Sequence, residues 1–233
     1  MCKLCVSLHK IAHLQLHFYL TTMGKVSISK EELAVLEKVS FPGNIHVIDS
    51  TAKVKAAVTY LNKCSRLGFD TETRPSFKRG VSYKVALMQI SSDTDCFLFR
   101  LNIVGMPDML KSLLENENIT KIGISLKDDF GMLGKITDTN PHGFIDLQKV
   151  APTYGISDAS LQKIYAIIFG RRISKSQRLT NWEAEELTHA QQIYAAIDAW
   201  SCLKIYNYLE LNGFDPTQSK YYNDDTHQTS ETL

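Results

Sequence analysis

The stretch at positions 66–73, RLGFDTET, followed by KVALMQIS at 84–91 and CFLFRL at 96–101, is the part of the chain that decides the fold. Each segment is short, apolar and bounded by turn formers, so each reads as a β-strand. Pro75 and Gly80 lie in the first connection, Asp93 and Thr94 in the second. After these hairpin-like strands the pattern alternates. A helix over about 107–116 precedes the strand KIGIS (121–125) and a helix opening near Asp128. A short strand in GFIDLQKVA (143–151) leads into a further helix, then the amphipathic SLQKIYAIIFG (160–170) ends at Gly170. A long helix runs from Thr188 to about Leu209. This order predicts an α/β domain with a mixed central β-sheet flanked by α-helices.

Working outward, the S-K-E-E run at 29–32 is a capping-box pattern that opens a short helix through Leu36. Asp49 or Ser50 caps the next, in which Val54, Val58 and Leu61 recur at helical spacing. The domain is expected over 47–211. Residues 1–46 would form a leader and short N-terminal helix, partly disordered, and 212–233 a polar C-terminal tail, disordered from Asp215. The leader holds Cys2, Cys5, His9, His13 and His17, which are zinc-type ligands without the paired spacing of a zinc finger. Met23 is an alternative start.

A chain of 233 residues with 44% hydrophobic content supports one substantial core. Twenty-six basic against 25 acidic residues leave a net charge of +1, so a polyanionic partner must be recognised through a local patch. Five scattered cysteines, an odd number, point to free thiols in a reducing compartment, and a cytoplasmic location is expected. No apolar run approaches the ~18 residues of a membrane span.

Asp70 and Glu72 stand two apart on a strand and share a face; Leu67 and Phe69 read as core, and Gly68 permits close packing. Two carboxylates on one face of a buried strand are costly without a cation. The bland alternative is a strand end already in solvent. Tyr194 and Asp198 stack one turn apart, near a stripe of Ala190, Ile193, Ile197 and Trp200. There the bland alternative is a tyrosine bonding a carboxylate. Asp128 and Asp129 stand at a strand-to-helix turn, where either could act as a cap. The independent bland readings do not predict the order D-x-E, acid at a turn, Y-x-x-x-D. Together these acids make an oxygen-rich site suited to hard divalent cations and to cleavage of a phosphodiester.

FDTET (69–73), KIGISLKDDFGML (121–133) and YAAIDA (194–199) resemble the three motifs of the DEDD superfamily of 3′–5′ exonucleases. The tyrosine before the last acid resembles the Tyr subgroup. The likeness extends to ribonuclease D, to the exonuclease domain of the Werner syndrome helicase and, most of all, to small stand-alone bacterial exonuclease-domain proteins. It spans about Val47 to Leu211. It implies a ribonuclease H-like fold, with Asp70, Glu72, Asp129 and Asp198 as metal-binding acids and Tyr194 as the water-orienting residue. Asp70 would bridge two Mg²⁺ or Mn²⁺ ions about 4 Å apart. Asp128 would be a cap or an outer acid.

Arg171, Arg172, Lys175 and Arg178 fall within eight residues with no intervening acid, directly before the last helix. They are candidates for phosphate contact, or else a solvated loop. Trp182 could stack on a base or anchor the loop. Lys127, beside the catalytic turn, is a further phosphate candidate, whereas His189 reads as a surface or packing residue. The expectation is a metal-dependent 3′–5′ exonuclease acting on single-stranded DNA or RNA 3′ ends, with no obligate protein partner. Its rivals are a hydrolase of very short oligonucleotides or nucleotides and a catalytically weak nucleic-acid-binding module.

Overall fold

The computed structural model describes residues 25–223; the leader's cysteines and histidines lie outside the described residues. In chain order the elements are β1 (Lys25–Val26), α1 (Lys30–Ala34), β2 (Asn44–Ile48), α2 (Thr51–Leu61), β3 (Arg66–Thr73), β4 (Val85–Ser91) and β5 (Asp95–Arg100). There follow α3 (Leu101–Val104), α4 (Asp108–Glu115), β6 (Thr120–Gly123), α5 (Leu126–Leu133), β7 (Phe144–Asp146), α6 (Leu147–Val150), α7 (Leu161–Phe169), α8 (His189–Asn212) and β8 (Tyr222–Asn223).

Six strands form one mixed sheet in the order β2-β5-β4-β3-β6-β7. The meander β3–β4–β5 is antiparallel, and the other pairs are parallel. β4 is buried along its whole length, as a central strand covered on both faces must be. On one face α2, α4 and α5 close over Phe69, Met88, Ile90 and Phe99. On the other lies α8, which packs across β3, β4, β5 and β6.

Helix α8 is capped by a Thr188–Gln191 capping box and is buried on every side from Tyr194 to Leu203. A stripe containing Ala190 was expected; Ala190 is exposed, and the burial is all-round because α7 and residues 36–41 cover the outer side. Phe41 and Tyr165 both pack on Trp200. α8 is thus a middle layer, not a surface helix. Among the described residues no helix is long and apolar enough to cross a membrane, and Cys64, Cys96 and Cys202 are free.

Two expectations at the margins need correction. The sheet starts at Asn44, because residues 44–48 pair in parallel with β5 as an edge strand. Residues 215–223, part of the polar tail expected to be disordered from Asp215, fold back. Asp215 caps a 3₁₀ turn by accepting from Thr217 N–H at 3.0 Å. Pro216 and Tyr221 are buried, and β8 pairs with β1.

Candidate active site

The site begins with the missing side chain of Gly68. A Cβ there would lie 1.9 Å from the Ala199 carbonyl oxygen, so only glycine lets α8 lie this close to β3. β3 is buried through Leu67, Gly68 and Phe69 and then emerges, leaving Asp70 and Glu72 half-buried, with a register shift after Glu72. Asp198 comes down from α8 and is buried. One carboxylate oxygen from each of Asp70, Glu72 and Asp198 lies within 4.8 Å of the others.

Asp129 arrives from the side. After β6 the chain turns sharply, with Ser125 at φ +59°, and α5 begins. The first amides of that helix are satisfied by Asp146 at the end of β7: it accepts from Ser125 N–H at 3.2 Å and Leu126 N–H at 3.0 Å. Asp128, a capping candidate by sequence, is exposed and makes no side-chain cap. The Asp129 carboxylate accepts a hydrogen bond from the Thr71 hydroxyl, which stands between Asp70 and Glu72 in β3. Thr71 and Asp146 therefore position the fourth acid. Neither was singled out from the sequence; an aspartate ending the strand F-I-D was the available signal for Asp146.

The electrostatics are those of buried, crowded carboxylates. Burial, then the charges of Asp198, Asp129 and Glu72, push the Asp70 carboxyl well above its ordinary range. Burial with Asp198 and Asp129 raises Glu72 to about 9, although Arg178 opposes the shift. Burial raises Asp198 to about 7 against the favourable contact with the Tyr194 hydroxyl and the charge of Lys175. Asp129 is raised to about 6 by burial, opposed by the Thr71 hydrogen bond. Tyr194 is pushed upward by burial and by Asp198 and Glu72, so its phenol stays protonated at neutral pH. Such a cluster is stable as carboxylates only with cations among them, and oxygen donors at this spacing fit hard divalent ions.

The loop 171–188 roofs one side of the cluster. Trp182, a candidate for base stacking, is fully buried and packs on Tyr194 at 5.9 Å between ring centroids; it is a loop anchor that holds the phenol in place. Gln191 binds the Thr180 hydroxyl at 3.0 Å, and Arg100 holds the Ala184 and Glu185 carbonyls. The four candidate cations divide. Arg172 Nε donates to the Leu36 carbonyl at 2.9 Å and ties the loop to the segment after α1, whereas Arg171 is exposed and faces the exposed Glu37 at 3.6 Å. Lys175 and Arg178 are exposed and act on Asp198 and Glu72. Lys127 and His189 are exposed.

A family model described as 3′–5′ exonuclease matches residues 45–213. The bifunctional 3′–5′ exonuclease/ATP-dependent helicase WRN of Mus musculus is 32% identical over 193 residues, covering 78% of this chain and 14% of that protein. Ribonuclease D of Haemophilus influenzae is 25% identical over 185 residues, covering 78% of this chain and 45% of that protein. The chain thus spans less than half the length of either. In fold it is similar to the crystal structure of the Nibbler EXO domain of Aedes aegypti. The TM-score is 0.67 at 21% identity, covering 77% of this chain and 96% of that one.

Proposed function

This chain belongs to the 3′–5′ exonuclease family, and from that premise we propose that it is a metal-dependent 3′–5′ exonuclease releasing nucleoside 5′-monophosphates from single-stranded DNA or RNA ends. The observation that carries this reading is the convergence of Asp70, Glu72 and Asp198 within 4.8 Å, with Asp129 close enough to act on Asp70 and Glu72. These four acids would hold two divalent cations, Mg²⁺ or Mn²⁺. When bound, such ions neutralise charge on the scissile phosphate and lower the pKa of the attacking water.

The residues of the chain do the rest. Asp70 and Glu72, on one face of a strand fixed in the middle of the sheet, set a rigid floor. Tyr194, protonated and wedged against Trp182, orients the nucleophilic water and does not act as the base. Thr71 fixes which way the Asp129 carboxylate faces. Lys175 and Arg178 offer positive charge to the phosphates next to the cleaved one.

The test is digestion of 5′-labelled single-stranded DNA and RNA of one sequence, with and without Mn²⁺, beside Asp70→Asn. A metal-dependent ladder that the variant does not produce is expected, and the faster polymer identifies the substrate class. A variant as active as the parent would overturn the assignment.

A further inference from the structure

The β3–β4 connection, residues 74–84 (RPSFKRGVSYK), leaves the sheet two residues after Glu72. Between Glu72 and Asp93 the chain has no acid but four cations, Arg74, Lys78, Arg79 and Lys84. The connection has a defined shape. The Ser76 hydroxyl donates to the Lys78 carbonyl at 3.1 Å, Val81 N–H reaches the same carbonyl at 3.2 Å, and Gly80 takes φ +78°. On that turn Phe77 is 83% exposed, although an exposed phenylalanine forgoes about 2 kcal/mol of burial.

Arg74 ties this loop to the loop 171–188: it lies over the Tyr83 ring at 4.8 Å and pairs with Glu183 at 3.4 Å. The facing loop presents Leu179, 59% exposed, next to Arg178. Two loops that carry cations beside exposed apolar side chains, Phe77 and the 44% exposed Val81 on one and Leu179 on the other, therefore adjoin the carboxylates.

We infer that Phe77 is a stacking platform for a base of a single strand whose 3′-terminal phosphodiester lies at the carboxylates, with Lys78 and Arg79 on the neighbouring phosphates. This rests on the exonuclease reading of the site. Single-stranded nucleic acid alternates a flat apolar base with an anionic phosphate, and an exposed ring flanked by cations matches that alternation. Five residues separate Glu72 from Phe77, a reach of at most about 17 Å, or two to three nucleotides. A free nucleotide at the carboxylates would leave Phe77 without a partner. The loop therefore selects oligomers over mononucleotides.

The test compares the parent, Phe77→Ala and Phe77→Tyr. Binding of 5′-fluorescein DNA and RNA decamers is followed by anisotropy in Ca²⁺. In Mn²⁺, kcat/KM is measured on the decamers and on the p-nitrophenyl ester of thymidine 5′-monophosphate. Phe77→Ala should weaken decamer binding about tenfold, lower the decamer-to-ester ratio of kcat/KM by a similar factor, and leave the melting temperature unchanged. Phe77→Tyr should recover most of the loss. A loss confined to one polymer supports the platform and names that polymer. Equal decamer affinities for Phe77→Ala and the parent, or an ester loss as large as the decamer loss, would overturn it. A parent that binds decamers but releases no mononucleotide in Mn²⁺ would defeat the exonuclease reading, and the affinity comparison would still decide Phe77.

Discussion

Gly68 and Ala199 meet backbone to backbone, and that contact sets the depth of the carboxylate cluster. A Cβ on Gly68 would come within 1.9 Å of the Ala199 carbonyl oxygen. Gly68 lies two residues before Asp70, and Ala199 one residue after Asp198. The strand and helix that carry the facing carboxylates are therefore spaced where backbone meets backbone and no flexible side chain can yield.

Gly68→Ala should accordingly cost both stability and rate. Forcing a methyl against a carbonyl in a packed interior is expected to destabilise by about 3 kcal/mol. That corresponds to a melting temperature lower by roughly 6–12 °C for a chain of this size. Displacing Asp198 from Asp70 by about an ångström should lower kcat about 100-fold. Thermal melts and steady-state rates check this, and a variant with parental values would show that the helix can shift freely.

Asp70→Asn should separate function from folding. In EDTA the amide removes a charge that Asp198, Asp129 and Glu72 all oppose, so the variant should melt at or above the parent's temperature. Saturating Mn²⁺ at 100 times its Kd should stabilise the parent by about 2.7 kcal/mol and the variant far less. Calorimetry with and without metal decides; an equal rise in both proteins would place the ions elsewhere.

The metal-free protein should lose stability as pH rises. In the unfolded chain these acids titrate near pH 4, whereas in the folded protein Asp129, Asp198 and Glu72 sit at about 6, about 7 and about 9. Between those limits the native state holds more protons than the unfolded one, so the stability present below about pH 4 declines as pH climbs through the folded values. Urea melts in EDTA at pH 5, 7 and 9 should give falling midpoints, and saturating Mg²⁺ should flatten the trend. Metal binding at pH 6.5 should release protons, visible as a buffer-dependent heat. A metal-free midpoint that rises with pH would contradict the burial of these acids.

The basic run should split in two under mutation. Lys175→Ala and Arg178→Ala should weaken oligonucleotide binding and each lower the salt dependence by about one counterion, without changing the melting temperature. Arg172→Ala should instead lower the melting temperature, because the Leu36 carbonyl loses its donor. A uniform effect of all three on affinity would mean that the whole run faces the substrate.

Patterns local in sequence were legible. Asp70 and Glu72 are placed together by period-two alternation, Tyr194 and Asp198 by the helical turn, and Gly68 by its position between Leu67 and Phe69. Patterns that depend on distant partners were not. Nothing near Arg172 indicates that its guanidinium will bind a carbonyl 136 residues upstream. Trp182 is equally apolar as a platform or an anchor, and only the proximity of Tyr194 decides. Strand β2 alternates, with Asn44 and His46 exposed at the sheet edge, but over only five residues, too short a run to stand out. The Asp215 segment reads as polar, yet Pro216, Tyr221 and the Asp215 cap supply enough to dock it.

The small ribbon of β1 and β8 carries a consequence for the architecture as a whole. Lys25 lies opposite Asn223 in antiparallel strands, roughly 5 Å apart, so the described domain enters and leaves at one point. Topologically it is a nearly closed ring, missing one covalent joint. A short peptide could make that joint while every pairing in the six-stranded sheet stays as it is. New ends could then be opened at an exposed turn. By the same logic the unit can be spliced into a surface loop of another protein with little strain, as a cassette whose two splice points already stand side by side.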